Sequence, residues 1–264
     1  MTLRFTILGC GSSPGVPRID GHWGACDPAN PKNRRRRCAL LVERYDGNKR
    51  TVVLVDTGPD VREQIIDAGV DAIDAVLYTH DHADHAHGID DLRILAYRAR
   101  SRVKVYFDEI TGGILQHRFD YCFETPQGSS YPRIVKGHVI KAGEPLTIEG
   151  AGGPIEVLPF RQHHGDIDSL GFRFGTLAYS SDLHDLPSES LPALEGLDVW
   201  IVDALRYTRH PSHFSVEEAL DWIKRIGPKR AILTHLHIDL DYETLSGELP
   251  DGVEPAYDGL RLEL

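Results

Sequence analysis

Apolar and polar positions alternate along Leu3–Leu8, the pattern of a strand, and Gly9–Asn33 after it is a long irregular segment rich in Gly and Pro. Ala39–Arg44 and Thr51–Val55 flank Asp46-Gly47-Asn48, a hairpin signal. Asp60 with Glu63 reads as a capping box for a short helix carrying Val61, Ile65 and Ala68. Ala75–Tyr78 is a short apolar strand, after which Ile89, Leu92, Leu95 and Ala96 keep helical spacing. The second half repeats this alternation. Ile155–Phe160, Phe172–Phe174, Leu177–Tyr179, Val199–Val202 and Ala231–Leu233 read as strands, and Leu260–Leu264 as a strand closing the sheet. Ser215 and Glu218 form a second capping box ahead of Val216, Ala219, Leu220, Ile223 and Ile226. Glu124–Arg133 is expected to be an exposed loop, with a flap over a site as its other reading. Strands mixed with helices in both halves predict an α/β fold with sheets sandwiched between helical layers. No repeat or linker divides the chain, so residues 1–264 are expected to form one domain.

Composition narrows the class. With 264 residues, 41% of them hydrophobic and 26% charged, the chain can bury a core, and a disordered chain is excluded. No apolar run reaches the ~18–20 residues of a membrane span. The opening Met1–Cys10 runs straight into a strand-like segment, which argues against a signal peptide. A balance of 29 Lys plus Arg against 40 Asp plus Glu, net −11, disfavours broad electrostatic binding to nucleic acid. Cys10, Cys26, Cys38 and Cys122 form no CxxC pair and read as reduced thiols of a cytoplasmic protein. The unusual count is 14 histidines, and their positions carry the chemistry.

Thr79-His80-Asp81-His82-Ala83-Asp84-His85 follows an apolar strand. Ligands on an irregular turn can point at one place without distorting a helix or a ladder. His80 and His82, two apart, share a face if strand geometry continues. Asp84 and His85 must then reach a neighbouring point, which predicts two metals rather than one. Other strand ends offer further ligands. Asp56 ends Val52–Val55, His163 and His164 follow the strand ending at Phe160, Asp182 follows Leu177–Ser180, and His235 follows Ala231–Thr234. Loops on a rigid scaffold are where a site would be built.

The order Asp56; His80, His82, Asp84, His85; His164; Asp182; His235 resembles the five motifs of the metallo-β-lactamase superfamily over nearly the whole chain. The resemblance implies a four-layer αββα sandwich with metals at one edge between two central sheets. It implies that His80, His82 and His164 hold one ion, that Asp84, His85 and His235 hold the other, and that Asp182 bridges them. Asp56 would orient a ligand. His164 is preferred to His163 because family members commonly place the ligand histidine before a small residue, here Gly165. Two divalent ions per chain are expected, with Zn²⁺ ahead of Mn²⁺ or Fe²⁺, since imidazole and carboxylate accept all three. The redox di-iron members carry Glu where this chain has His82, which excludes that branch. Two divalent ions balanced by Asp84, Asp182 and a bridging hydroxide leave a site of about +1, which favours an anionic substrate attacked by that hydroxide.

Within the superfamily, the β-lactamases proper generally lack the counterpart of Asp182, and glyoxalase II adds a helical domain for which the 29 residues after His235 are too few. Arg209-His210-Pro211-Ser212-His213-Phe214-Ser215 resembles the segment where ribonuclease Z and the phosphoribosyl cyclic phosphodiesterases place an extra histidine. His213 fits that role, contacting a phosphoryl oxygen or protonating the leaving oxygen, and joins Asp84 and Asp182 as the catalytic candidates. Gly9–Pro17, Trp23–Cys26 and Asn33–Arg37 also look like the phosphoribosyl cyclic phosphodiesterases. Some of those hold a structural zinc here with several cysteines. This chain keeps only Cys26 there, so a zinc-free loop is expected, with a reduced site of His22, Cys26 and His237 as the other reading. The Arg34–Arg37 run reads as a solvated or ion-paired face. His87, His117, His138 and His184 read as structural or surface residues, and His210 as a surface one. Only 17 residues separate His164 from Asp182, too few for the tRNA-gripping arm of ribonuclease Z, so tRNA is disfavoured.

The expectation is a metal-dependent hydrolase of a small anionic phosphodiester, cyclic ribose phosphate or nucleotide-like, with no membrane partner and homodimerisation left open. A lactonase or thioesterase of the same fold, or a metal-dependent nucleotide-binding protein with little turnover, are the alternatives.

Overall fold

The computed structural model describes residues 2–125 and 127–264. In chain order its strands are β1 (Leu3–Gly9), β2 (Ala39–Asp46), β3 (Lys49–Val55), β4 (Ala75–Leu77), β5 (Val103–Phe107), β6 (Val135–Val139), β7 (Leu146–Ile148), β8 (Ile155–His164), β9 (Ile167–Phe174), β10 (Leu177–Ser180), β11 (Val199–Asp203), β12 (Arg230–Thr234), β13 (Val253–Pro255) and β14 (Arg261–Glu263). They form two sheets, β14-β1-β2-β3-β4-β5-β6 and β13-β12-β11-β10-β9-β8-β7. Strands β3 to β6 are parallel to one another, as are β10 to β13. In each set the C-terminal ends therefore lie along one edge, and those ends carry the histidines and aspartates.

Period-2 alternation sorts the side chains into layers. Val53 and Val55 face inward with Phe5, Val42 and Leu77, against Phe172, Tyr179, Ile201 and Ile232 of the second sheet. Their neighbours Val52 and Leu54 face outward, toward helices. The helices of the first half are α1 (Val61–Asp67), α2 (Ala83–Ala86), α3 (Leu92–Ala99), α4 (Glu109–Arg118) and α5 (Asp120–Phe123). Val61, Leu92 and Leu115 cover Leu54, Val76 and Val105. On the other side, α6 (Val216–Ile226) and α7 (Tyr242–Glu248) lay Val216, Ala219, Ile223 and Leu245 over Trp200, Val202 and Leu233. Three apolar layers between four structural ones make the αββα sandwich that the sequence predicts.

The two capping boxes part company. Ser215 Oγ accepts from Glu218 N (3.3 Å) and Glu218 Oε2 accepts from Ser215 N (3.0 Å), so α6 starts as expected. Asp60 makes no cap bond to α1, because its carboxylate is taken by Arg37, at 2.8 Å from the backbone N and 3.0 Å from Nε. Strand β8 runs to His164 rather than stopping at Phe160, since its hairpin with β9 extends to the His164–Ile167 pair. The described residues of the Glu124–Arg133 loop are tied by Arg133–Glu124 (3.1 Å), and Ser129 and Tyr131 line a small cavity with Arg93 and Tyr121.

No structural metal group forms from His22, Cys26 and His237 among the described residues. His22 is exposed, and Cys26 Sγ lies 3.4 Å from both Ile238 O and Leu240 O. Between them sits Arg35, 1% exposed, donating to Leu240 O (2.7 Å), His237 O (3.2 Å) and Asn33 Oδ1 (3.3 Å), and reaching Cys26 Sγ (3.7 Å). The arginine run is thus not a uniform face. Arg36 and Arg37 are ion-paired with Asp258 and Asp60, and Arg35 is the cation that binds the long first loop to the segment after His235.

Candidate metal centre

The chain leaves β4 at Leu77 and starts α2 at Ala83, with His82 extended as the cap residue, so His80, His82, Asp84 and His85 fall on one short turn. Beneath the turn lies Asp56, fully buried, with its backbone in the left-handed region (φ 65°). Such a conformation at a non-glycine residue costs about 1–3 kcal/mol and persists only when its surroundings hold it. Here they do. Asp56 accepts from Thr79 N and Thr79 Oγ1 at 2.8 Å each and from His85 Nδ1 at 2.7 Å, while Thr57 N donates to His85 O at 2.7 Å. Glycine is required at position 58, because a Cβ there would lie 2.1 Å from Asp84 O.

These bonds decide which ring nitrogens face the centre. His85 Nδ1 donates to Asp56, which turns Nε2 toward the centre, where its lone pair is available once the ring is neutral. Thr79 Oγ1 gives its proton to Asp56, so His80 Nδ1, 2.9 Å away, is the donor to Thr79 and His80 Nε2 is bare. His164 Nδ1 donates to Ser212 O at 2.7 Å. The Nε2 atoms of His80, His85 and His235 and Oδ1 of Asp182 are buried and make no hydrogen bond. A buried polar atom left unpaired costs about 1–3 kcal/mol, so four together point to something that binds them.

Candidate ligand atoms gather in four overlapping groups among the described residues, His80–His82–His164, Asp84–His85–Asp182–His235, His164–Asp182–His213 and Asp203–His213–His235, with the atoms of each within 4.8 Å of one another; the first two match the ligand sets expected from the sequence. Asp182 belongs to both neighbourhoods. Its Oδ1 lies 3.1 Å from His85 Nε2, and its Oδ2 lies 3.4 Å from His235 Nε2, 3.8 Å from His164 Nε2 and 4.0 Å from His80 Nε2. His82 Nδ1 and His164 Nε2 face each other at 3.2 Å. Ligand atoms ~2.1 Å from a shared divalent ion would be about 3.0–3.4 Å apart. The donor set and its spacing therefore fit divalent cations.

Charge follows from the same packing. Burial opposes a charge on Asp182, yet His235 and His85 hold its carboxyl well below the ordinary range; burial opposes Asp84 too, and His85 and His235 again prevail. Burial likewise opposes a proton on His85, but Asp182, Asp84 and Asp56 raise it well above the usual histidine value. Burial pushes His80 well below that value, helped by His85, and takes His164 down to about 4.

His213 stands beside this cluster, its ring 4.7 Å from His164 and 4.5 Å from His235. Nδ1 is 2.7 Å from Oδ2 of Asp203, which is fully buried at the end of β11 and also accepts from Leu183 N at 3.1 Å. Burial raises the Asp203 carboxyl well above its usual range, against His235 and with Asp182. His210 lies next to His213, ring to ring at 5.2 Å, with Nδ1 on Ser212.

The structure brings His80, His82, Asp84, His85, His164, Asp182, His213 and His235 together. His163 points the other way, 41% exposed and bonded to Asp168 at 2.8 Å. Strand alternation explains it: Gln162 and His164 are buried, Arg161 and His163 are not. Sequence reasoning missed Asp203, although it ends a strand just as Asp56 and Asp182 follow theirs. It also missed Ser13, exposed on the first loop, whose Oγ donates to Asp84 Oδ2 at 2.7 Å. Nothing in the local sequence marks a loop serine 71 residues from its partner.

Residues 51–236 match a family described as Beta-lactamase superfamily domain. Over its full length the chain is similar to the crystal structure of a new diphosphatase from the PhnP family, with 36% identity, 98% of that chain covered and a TM-score of 0.89. It also resembles zinc-bound PqqB from Methylobacterium extorquens, at 20% identity over 99% of this chain and 100% of that one, with a TM-score of 0.75, a likeness of fold alone. Among curated proteins it is 34% identical, over 98% of its length, to an octanoyltransferase of Porphyromonas gingivalis (strain ATCC BAA-308 / W83). The chain spans about half the length of that relative, 51%.

Proposed function

The chain belongs to the β-lactamase superfamily, in the branch of the PhnP-family diphosphatase, and on that premise we propose that it is a dinuclear metallohydrolase of small phosphodiesters, acting as one domain. The observation that carries this reading is the pair of ligand groups with Asp182 between them, one of the four residues of the second and within 4.0 Å of His80 and His164 of the first, with buried ring nitrogens left unpaired. His80, His82 and His164 would hold one ion, Asp84, His85 and His235 the other, and Asp182 both. Zinc suits this donor set best, with manganese or iron as alternatives. When bound, two such ions would act as Lewis acids on a phosphoryl group and make water nucleophilic at neutral pH.

The chain's own residues supply the rest. Asp56 and Thr79 hold the imidazoles of His85 and His80 in one tautomer. Asp203 orients His213, leaving its Nε2 free to contact a phosphoryl oxygen or to hand a proton to the departing one. Because burial lowers His213, a bound phosphoryl anion is what would favour its protonated form. The PhnP-family relative is named a diphosphatase, which makes a phosphoanhydride diester the second substrate class. Acyl transfer through a cysteine has no support, since all four are buried and burial pushes each thiol above its ordinary range.

A panel of bis(p-nitrophenyl) phosphate, 2′,3′-cyclic nucleotides, a diphosphate-linked dinucleotide and a lactone tests the proposal. Turnover of the lactone alone would replace phosphodiesterase by lactonase, and binding without turnover would leave a nucleotide-binding protein. His213→Ala should keep its metal and lose ~10²–10⁴ in kcat. The loss should be larger for an alkoxide leaving group than for p-nitrophenolate if His213 donates a proton, and equal for both if it only contacts phosphate.

A further inference from the structure

A groove of about 830 Å³ opens beside the three-histidine group. Its walls are the residues that follow β4 and β5, the end of β6, and the β8–β9 hairpin on the side that carries Arg161 and His163, at the same edge of the sandwich as the metal cluster. Neighbours of the candidate ligands line it, although none of the ligands themselves does. Asp81, between His80 and His82, lines it, as does Gly165, next to His164; so does Ser169, whose Oγ donates to Asp182 O at 2.7 Å.

The lining is apolar inside and acidic around. Ile114, Ile140, Ile167 and Leu170 contribute its interior, and Ile110 (73% exposed) and Val139 (59% exposed) leave apolar surface facing water on it. Six carboxylates line it against two cations of fixed charge, Lys141 and Arg161. Both cations already have partners: Lys141 lies 3.8 Å from Glu144, and Arg161 lies 3.5 Å from Asp168. A second phosphate placed here would meet carboxylates with no free cation to receive it. An uncharged apolar group would instead cover isoleucines that now face water. Pockets of ~300–1,000 Å³ hold small-molecule ligands, so the volume far exceeds what the reacting phosphoryl group needs.

We infer that this groove is the subsite for a long, uncharged, mainly apolar substituent of the substrate phosphoryl group. The inference rests on the phosphodiesterase reading for the phosphoryl end, and it names the substrate class of that site. It excludes polyphosphates and nucleic-acid strands from the groove and favours alkyl or aryl esters.

Binding calorimetry on the metal-loaded protein with methyl, butyl and octyl phosphate tests it without turnover. Affinity should rise about two- to fourfold per methylene, the scale of ~0.8 kcal/mol per buried CH₂. A carboxylate at the far end of the octyl chain should abolish most of the gain. Ile110→Ser combined with Val139→Ser, both at exposed positions, should flatten the series and leave methyl phosphate affinity unchanged. A flat series in the parent, or an unaltered slope in the double variant, would overturn the inference. Hydrolysis of methyl p-nitrophenyl phosphate, measured alongside, separates the two readings. Hydrolysis with a flat series removes the groove, whereas a rising series without hydrolysis of any phosphodiester keeps the groove and removes the phosphodiesterase.

Discussion

The His80–His82–His164 group and the Asp84–His85–Asp182–His235 group lie side by side and differ in nearly everything except Asp182. The first consists of imidazoles alone, has exposed His82 as one wall, and lies beside the groove that Asp81 and Gly165 line. The second is buried throughout and contains two carboxylates, with a third, Asp56, beneath His85. A closed pocket with carboxylates favours retention of a divalent cation, while an open one without them favours exchange and access by substrate. The contrast teaches that two ions in this fold would not be equivalent. With both filled, the closed group would hold its ion the more firmly and the open group would be the one a substrate reaches.

Removing what the groups share should have the largest effect. Asp182→Asn keeps the shape but deletes the common charge, so more than one equivalent of metal and about 10⁴-fold or more of kcat/KM should disappear together. Loss of only one ion would show that the groups are independent. His82→Ala touches the open group alone. It should release about one equivalent, measured by atomic emission, and leave the buried ion in place; release of both would break the comparison. Asp56→Asn acts from beneath the closed group. With the isosteric amide facing three donors, metal affinity there should fall about 10–100-fold, with little change at the open group.

The smallest effect is a proton count. Burial opposes a proton on His85, but Asp182, Asp84 and Asp56 raise its value well above the ordinary histidine range, so in the ion-free protein it holds a proton to higher pH than a free imidazole. Filling the closed group must displace that proton, so affinity there should rise with pH until His85 deprotonates. His80 and His164 are shifted down, the latter to about 4, and have no proton to lose at pH 7. Calorimetry in buffers of different ionisation enthalpy should record about one proton released for the closed group. Equal release from both groups would erase the electrostatic difference.

The same division explains what could be read in advance. His80, His82, Asp84 and His85 are local, so their spacing alone announces them. Asp182 and His235 come from distant strands, and they were legible because apolar runs end in a ligand type. Resemblance favours His164 over His163, and the alternation of β8, extended four residues past Phe160, selects it on physical grounds. Asp203 carries the same strand-end signal, but what gives it a role is its bond to His213, which only the fold brings about. Ser13 and Arg35 were out of reach, since each acts through a partner brought near only by the tertiary fold. The Asp60 cap failed for the same reason, as Arg37 competes for the carboxylate and wins.

Arg35 has a consequence for how the entrance to the centre is held. The first loop, which delivers Ser13 to Asp84, is tied to the segment after His235 by a guanidinium that is part of the chain itself. Unlike a bound ion, that crosslink can be neither chelated away nor exchanged, and over the range in which proteins are handled its charge does not change with pH.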